Sequence, residues 1–138
     1  MIKFKLFLCF LLVQLVTNAQ SPIGTWVTID DETGKAKSHV EIYEKNGKIF
    51  GKIVKLLLKP QTAVCETCDG DRKNKPLVGM VILYNFIKSG NEWKSGKIYK
   101  ADSGKEYNGS LAMSGNDKLI VTGKVLFITR SQTWTRLK

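Results

Sequence analysis

Cys65-Glu66-Thr67-Cys68 is the strongest chemical signal in this 138-residue chain. A Cys-x-x-Cys pair can close a disulfide, exchange thiols with a partner, or supply half of a metal site. Zinc takes four ligands, and the single histidine, His39, is distant in sequence, so no metal site is expected. Reactive thiol pairs usually open a helix, whose dipole lowers the thiol pKa. Here Pro60-Gln61-Thr62-Ala63-Val64 precedes the pair and Asp69-Gly70-Asp71-Arg72 follows it, a loop composition, and Glu66 disfavours a thiolate between the sulfurs. A structural disulfide between Cys65 and Cys68 is expected, with a thiol oxidoreductase through the same pair as the sharper alternative.

Other chemistry is thin. Asp69-Gly70-Asp71 begins like a calcium loop, but Lys73 and Lys75 stand where oxygen ligands should be. No Gly-x-Ser-x-Gly elbow, phosphate loop or dinucleotide fingerprint occurs. No catalytic residues and no cofactor are expected, and the chain is taken to bind rather than transform.

The compartment follows from the first residues. Lys3 and Lys5 precede an apolar run from Leu6 to Val16, and Thr17-Asn18-Ala19 offers small residues for cleavage. A charged start, about ten apolar residues and a small-residue exit describe an export signal. A membrane span would need ~20 apolar residues. Residues 1–19 are therefore expected to be a signal peptide, with residues 20–138 one exported domain, periplasmic or extracellular, without a transmembrane span. Cys9 lies within the apolar run, which leaves Cys65 and Cys68 as an even pair in an oxidising compartment.

The formal charge is +10, or +8 without Lys3 and Lys5. The positive residues are scattered along the chain, which argues against a nucleic-acid partner and suits weak contact with an anionic surface. A monomer is expected.

Turn residues then divide the chain. Asp31-Glu32-Thr33-Gly34, Asn46-Gly47, Ser89-Gly90-Asn91, Asp102-Ser103-Gly104, Ser114-Gly115-Asn116-Asp117 and, less sharply, Thr129-Arg130-Ser131 separate short segments. One long interruption, roughly residues 58–76, carries the cysteines. Strands are expected over residues 23–30, 38–45, 48–57, 77–86, 92–100, 106–113, 118–127 and 132–137. Val40 and Ile42 alternate with His39, Glu41 and Tyr43, a period of two. That alternation puts His39 on the face away from Val40 and Ile42.

Eight antiparallel strands bring the first beside the last, so an up-and-down barrel can close without edges. Such a barrel is filled by side chains or holds one small ligand. The expected fold is all-β, an eight-stranded lipocalin-like barrel. Gly24 and Trp26 at its start and Trp134 and Arg136 at its end are expected to seal it, a structural role. Gly51, Met80, Leu111, Val121 and Phe127 are expected to line an interior for a small hydrophobic or amphipathic ligand. The alternative is an interaction protein contacting anionic lipid, glycan or a protein partner. Residues 77–86 are apolar on both faces, so cover by residues 56–58 and the cysteine loop is expected, with an exposed patch for a partner or membrane as the alternative.

These stretches resemble a bacterial family of small exported proteins, domain of unknown function 2147. The resemblance rests on Gly24-Thr25-Trp26, Asp30-Asp31-Glu32-Thr33-Gly34-Lys35, Val40-Glu41-Ile42-Tyr43, Gly51-Lys52-Ile53-Val54, Cys65-x-x-Cys68, Pro76-Leu77-Val78-Gly79-Met80 and Gln132-Thr133-Trp134-Thr135-Arg136. It implies a lipocalin-like barrel with the cysteines in one loop, and no established activity. Near the end the family's Arg-Gly-aromatic stretch is replaced by Thr122-Gly123-Lys124 and Ile128-Thr129-Arg130.

Overall fold

The computed structural model describes residues 20–138. The expected signal peptide, residues 1–19 with Cys9, lies outside the described residues. Eight strands run in order: β1 Gly24–Ile29, β2 Ala36–Lys45, β3 Lys48–Leu56, β4 Val81–Ser89, β5 Glu92–Lys100, β6 Lys105–Ser114, β7 Lys118–Val125 and β8 Ile128–Arg136. Each pairs antiparallel with the next, and β1 pairs with β8 to close the barrel. Up-and-down order sorts the connections to two ends. The β1–β2, β3–β4, β5–β6 and β7–β8 connections surround one end, the mouth. The other three surround the opposite end, the base, where β1 starts and β8 finishes.

Inward positions form the core. Trp26, Val40, Ile42, Leu83, Phe86, Leu111 and Leu119 are almost completely buried, a packed apolar floor beneath the mouth. Alternation breaks in β4 and β5, where Asn85 and Ser95 adopt positive φ (65° and 61°). Each kink lets residues three apart share a face, so Leu83 and Phe86 both turn inward, contrary to the expected period of two. The Phe86 ring then lies over Gly96 and Gly109, which have no side chains to exclude it.

Two connections differ most from expectation. The fourth strand begins at Val81, because residues 77–80 complete the long connection, with the Gly79 N–H donating to the Ile53 carbonyl. The last turn is Leu126-Phe127, flanked by the Val125–Ile128 pair, and Thr129-Arg130-Ser131 lie within β8. No glycine or asparagine marks that turn, although Leu126 takes φ 54°.

The long connection covers the outer wall as its composition requires. Its short 3-10 turn, Gly70–Arg72, sets the Arg72 guanidinium 3.8 Å from the Tyr99 ring and 5.5 Å from the Tyr84 ring. Leu56, Leu77 and Met80 are buried, whereas Leu57 and Leu58 are exposed.

Candidate functional site

The base is sealed around one guanidinium. Arg136 lies 4.4 Å over the Trp26 ring and donates to the carbonyls of Ser21 (2.8 Å), Ile23 (2.9 Å) and Asn116 (2.7 Å). Trp26 donates its indole N–H to the Pro22 carbonyl at 2.8 Å. Gly24 has φ 136°, and a Cβ there would sit 2.6 Å from Arg136 Nη1. The Gly-x-Trp start and the terminal arginine are therefore one packing unit; Trp134, expected in the same seal, is a correction, because its indole N–H turns instead to Gln132, two residues toward the mouth.

The mouth is built differently. The β1–β8 ladder pairs only Trp26 with Arg136 and Val27 with Thr135, so toward the mouth the strands part. Gln132 bridges them with its side chain. Its Nε2 donates to the Ile29 carbonyl (2.7 Å) and to Asp31 Oδ1 (2.7 Å), while its Oε1 accepts from the Trp134 indole (2.6 Å) and the Ile29 N–H (3.4 Å). Across the opening Lys100 pairs with Asp31 (3.3 Å), and Lys37 pairs with Asp102. Thr28 and Ser38, both buried, share a hydroxyl–hydroxyl bond of 2.7 Å beneath the β1–β2 rim. Polar groups inside the barrel thus gather at the mouth, over an apolar floor.

Inward side chains are least covered on one side of the mouth, which forms a shallow recess. The inward positions Ile98, Tyr107, Gly109, Gly123 and Gln132, on the mouth half of β5 to β8, remain half-buried. Their inward direction follows from contact: a Cβ on Gly109 would meet Ile98, and one on Gly123 would meet Tyr107 and Ile98. Val121 borders this recess. Lys105 and Arg130 occupy the next same-face positions, at the rim, and both are exposed. Among the described residues neither takes part in an ion pair.

Of the expected lining residues, the structure brings few together here. Gly51 and Leu111 belong to the packed floor, with Leu83 pressed on Gly51. Met80 is buried within the long connection. Phe127 is a correction: it sits at the β7–β8 tip, 98% exposed, because the turn falls there and ends the alternation that would carry it inward. The recess residues Ile98, Tyr107, Arg130 and Gln132 escaped sequence reading. Their only signal is period-two position, which the kinks at Asn85 and Ser95 and a last turn without glycine obscure.

Cys65 and Cys68 form a disulfide with Cα atoms 5.4 Å apart, and both are almost fully buried. The Thr67 hydroxyl donates to the Ala101 carbonyl, tying this loop to the β5–β6 turn. Crevices of about 480 Å³ and 380 Å³ flank it, the first between Lys59, Cys65 and Asp102, the second between Arg72, Lys75 and Met80. His39 faces outward, opposite Val40 and Ile42. Two groups have displaced pKa values. The Thr33 hydroxyl and N–H hold the Asp30 carboxylate below its ordinary value. Burial, then the hydrogen bond to Glu106, pushes Tyr84 up to about 12. Among the described residues no cluster of His, Cys, Asp or Glu could hold a metal ion, and no helix is long and apolar enough to cross a membrane.

The model of a bacterial family, described as uncharacterized protein conserved in bacteria (DUF2147), matches residues 24–136. A solved protein from the human pathogen Helicobacter pylori, described as belonging to the lipocalin family, is similar in fold. Its TM-score is 0.76 at 25% identity, over 86% of this chain and 84% of that one. No curated protein matches.

Proposed function

We propose that this chain, which belongs to the uncharacterized bacterial family DUF2147, is an exported, non-catalytic barrel that binds one small amphipathic molecule with an acidic head. One observation carries the reading: the inward residues Ile98, Tyr107 and Gly123 stay only half-buried at the mouth, with Lys105 and Arg130 exposed at the rim above them and the Gln132–Trp134 pair beside them. Sites for small molecules are mostly apolar, with a few placed polar groups that fix orientation. Here an apolar tail would lie on Ile98, Tyr107 and Val121, and a carboxylate or phosphate would meet the rim cations. The packed floor limits the ligand to the mouth half of the barrel. The similar Helicobacter protein, described as a lipocalin, supports the same class of reading.

The non-catalytic part rests on how the reactive groups are spent. The sulfurs are bonded and buried, and the one histidine looks away from the recess. Residues 1–19 act as the export signal, and residues 20–138 act as one domain. Native mass spectrometry of protein purified from its own host tests the reading. A single acidic amphipath retained on the intact barrel and lost on organic extraction is expected. Ligand-free protein whose melting temperature also ignores millimolar laurate would overturn it.

A further inference from the structure

The β7–β8 hairpin breaks three local rules at once. Leu126 adopts φ 54°, a conformation that two-residue turns normally give to glycine, asparagine or aspartate. Leu126, Phe127 and Ile128 are 80%, 98% and 61% exposed, with Val125 partly exposed beside them. None of the four belongs to the core. Four consecutive apolar residues at a tip leave a contiguous apolar surface facing water, which marks a contact site rather than a packing need.

From this we infer that the tip seats the barrel on an anionic bilayer: Leu126 and Phe127 enter the interfacial layer, while Lys124, Arg130 and Lys105 lie at headgroup level. Charge favours this occupant. The three cations are exposed, and among the described residues none is ion-paired. The nearby carboxylates are engaged elsewhere, Glu106 by the Tyr84 hydroxyl and Asp31 by Lys100 and Gln132. Size favours it too. A four-residue tip still offers far less than the ~800 Å² per partner of a stable protein interface. Interfacial binding instead needs a few apolar side chains together with attraction to anionic lipid. The tip belongs to the mouth end, so a seated barrel would present its recess to the membrane. The seating does not depend on whether the recess holds a ligand.

Sedimentation of the purified protein with vesicles tests this, comparing phosphatidylglycerol–phosphatidylethanolamine mixtures with pure phosphatidylcholine. The wild-type chain should bind anionic vesicles at least tenfold more strongly, and less so in about 0.5 M salt, where surface charges are screened. The variant Leu126→Gly/Phe127→Asn suits the turn better, so it should melt no lower than wild type yet bind anionic vesicles at least tenfold more weakly. Its laurate titration should be unchanged, which separates this result from failure of the recess. A Phe127→Trp variant should show blue-shifted emission on anionic vesicles. Equal binding by wild type and the double variant, or no wild-type binding, would overturn the inference. So would a wild-type dimer that the double variant dissolves without any vesicle effect.

Discussion

The Gln132 side chain completes the barrel where the backbone ladder stops, donating to the Ile29 carbonyl at 2.7 Å while accepting the Trp134 indole N–H at 2.6 Å. One amide thereby ties β1 to β8 and fixes an indole beside the recess. Replacing it by Leu leaves the Ile29 carbonyl and the Trp134 N–H without partners, at about 1–3 kcal/mol for each group that stays buried. Gln132→Leu should lower the unfolding midpoint in urea and speed amide exchange at Ile29 selectively. Unchanged exchange there would show that β1 and β8 hold together without it.

At the base, Arg136→Ala removes three hydrogen bonds to carbonyls and the stack on Trp26. Hydrogen bonds from a charged donor contribute about 1.5–3 kcal/mol each when buried, and less when solvent can replace them. With partial exposure, a loss of about 2–4 kcal/mol is expected, a fall in melting temperature on the order of 10 °C. Laurate affinity should stay within twofold, because the recess lies at the other end. A variant that melts like wild type but loses the ligand would reverse the two ends' roles.

This division between ends explains what could be read in advance. Gly24, Trp26 and Arg136 form a dense, short-range unit, so residue types alone betray it. The recess is different, since it depends on parity along strands that cross kinks at Asn85 and Ser95. A one-residue change of register reverses every side chain beyond it. Leu126-Phe127 carries no turn residue, so the pattern predicts β7 through Phe127 and β8 from Gln132. The same pattern puts Arg130 in a turn, whereas in β8 it stands at the rim.

Tyr84 supplies an alkaline signature. Its folded pKa, pushed up to about 12 by burial and Glu106, exceeds the ordinary 10. A phenol whose folded pKa is raised contributes stability fully present below pH 10 and lost as pH rises through about 12. Tyr84→Phe should remove that part of the alkaline loss, measured as the unfolding midpoint from pH 9 upward. Absorbance titration should find one tyrosine ionising late. If the Tyr84→Phe variant declines as steeply as wild type, ionisation of Tyr84 is not the source.

The Cys65–Cys68 bond closes a very short ring, and its chain-entropy contribution is ~2 kcal/mol. The double serine variant should keep the barrel spectrum and lose local order in the long connection. The buried sulfurs should also show a reduction potential below about −300 mV, as structural disulfides do. A potential near that of exchange catalysts would revive the oxidoreductase alternative.

Arg130→Met should weaken laurate binding about tenfold, the loss of roughly 1.4 kcal/mol from one screened cation–carboxylate contact. Its melting temperature should be unchanged, since Arg130 is exposed and unpaired among the described residues. Calorimetric titration reads the difference.

The most direct measurement is the indole N–H region of the ¹⁵N–¹H spectrum during titration with laurate. The chain has three tryptophans. Trp134, held by Gln132 beside the recess, should shift progressively and saturate, while Trp26, bonded to Pro22 at the base, should not move. A Trp134 signal unmoved at saturating laurate, or equal movement of Trp26, would contradict a ligand seated at the mouth.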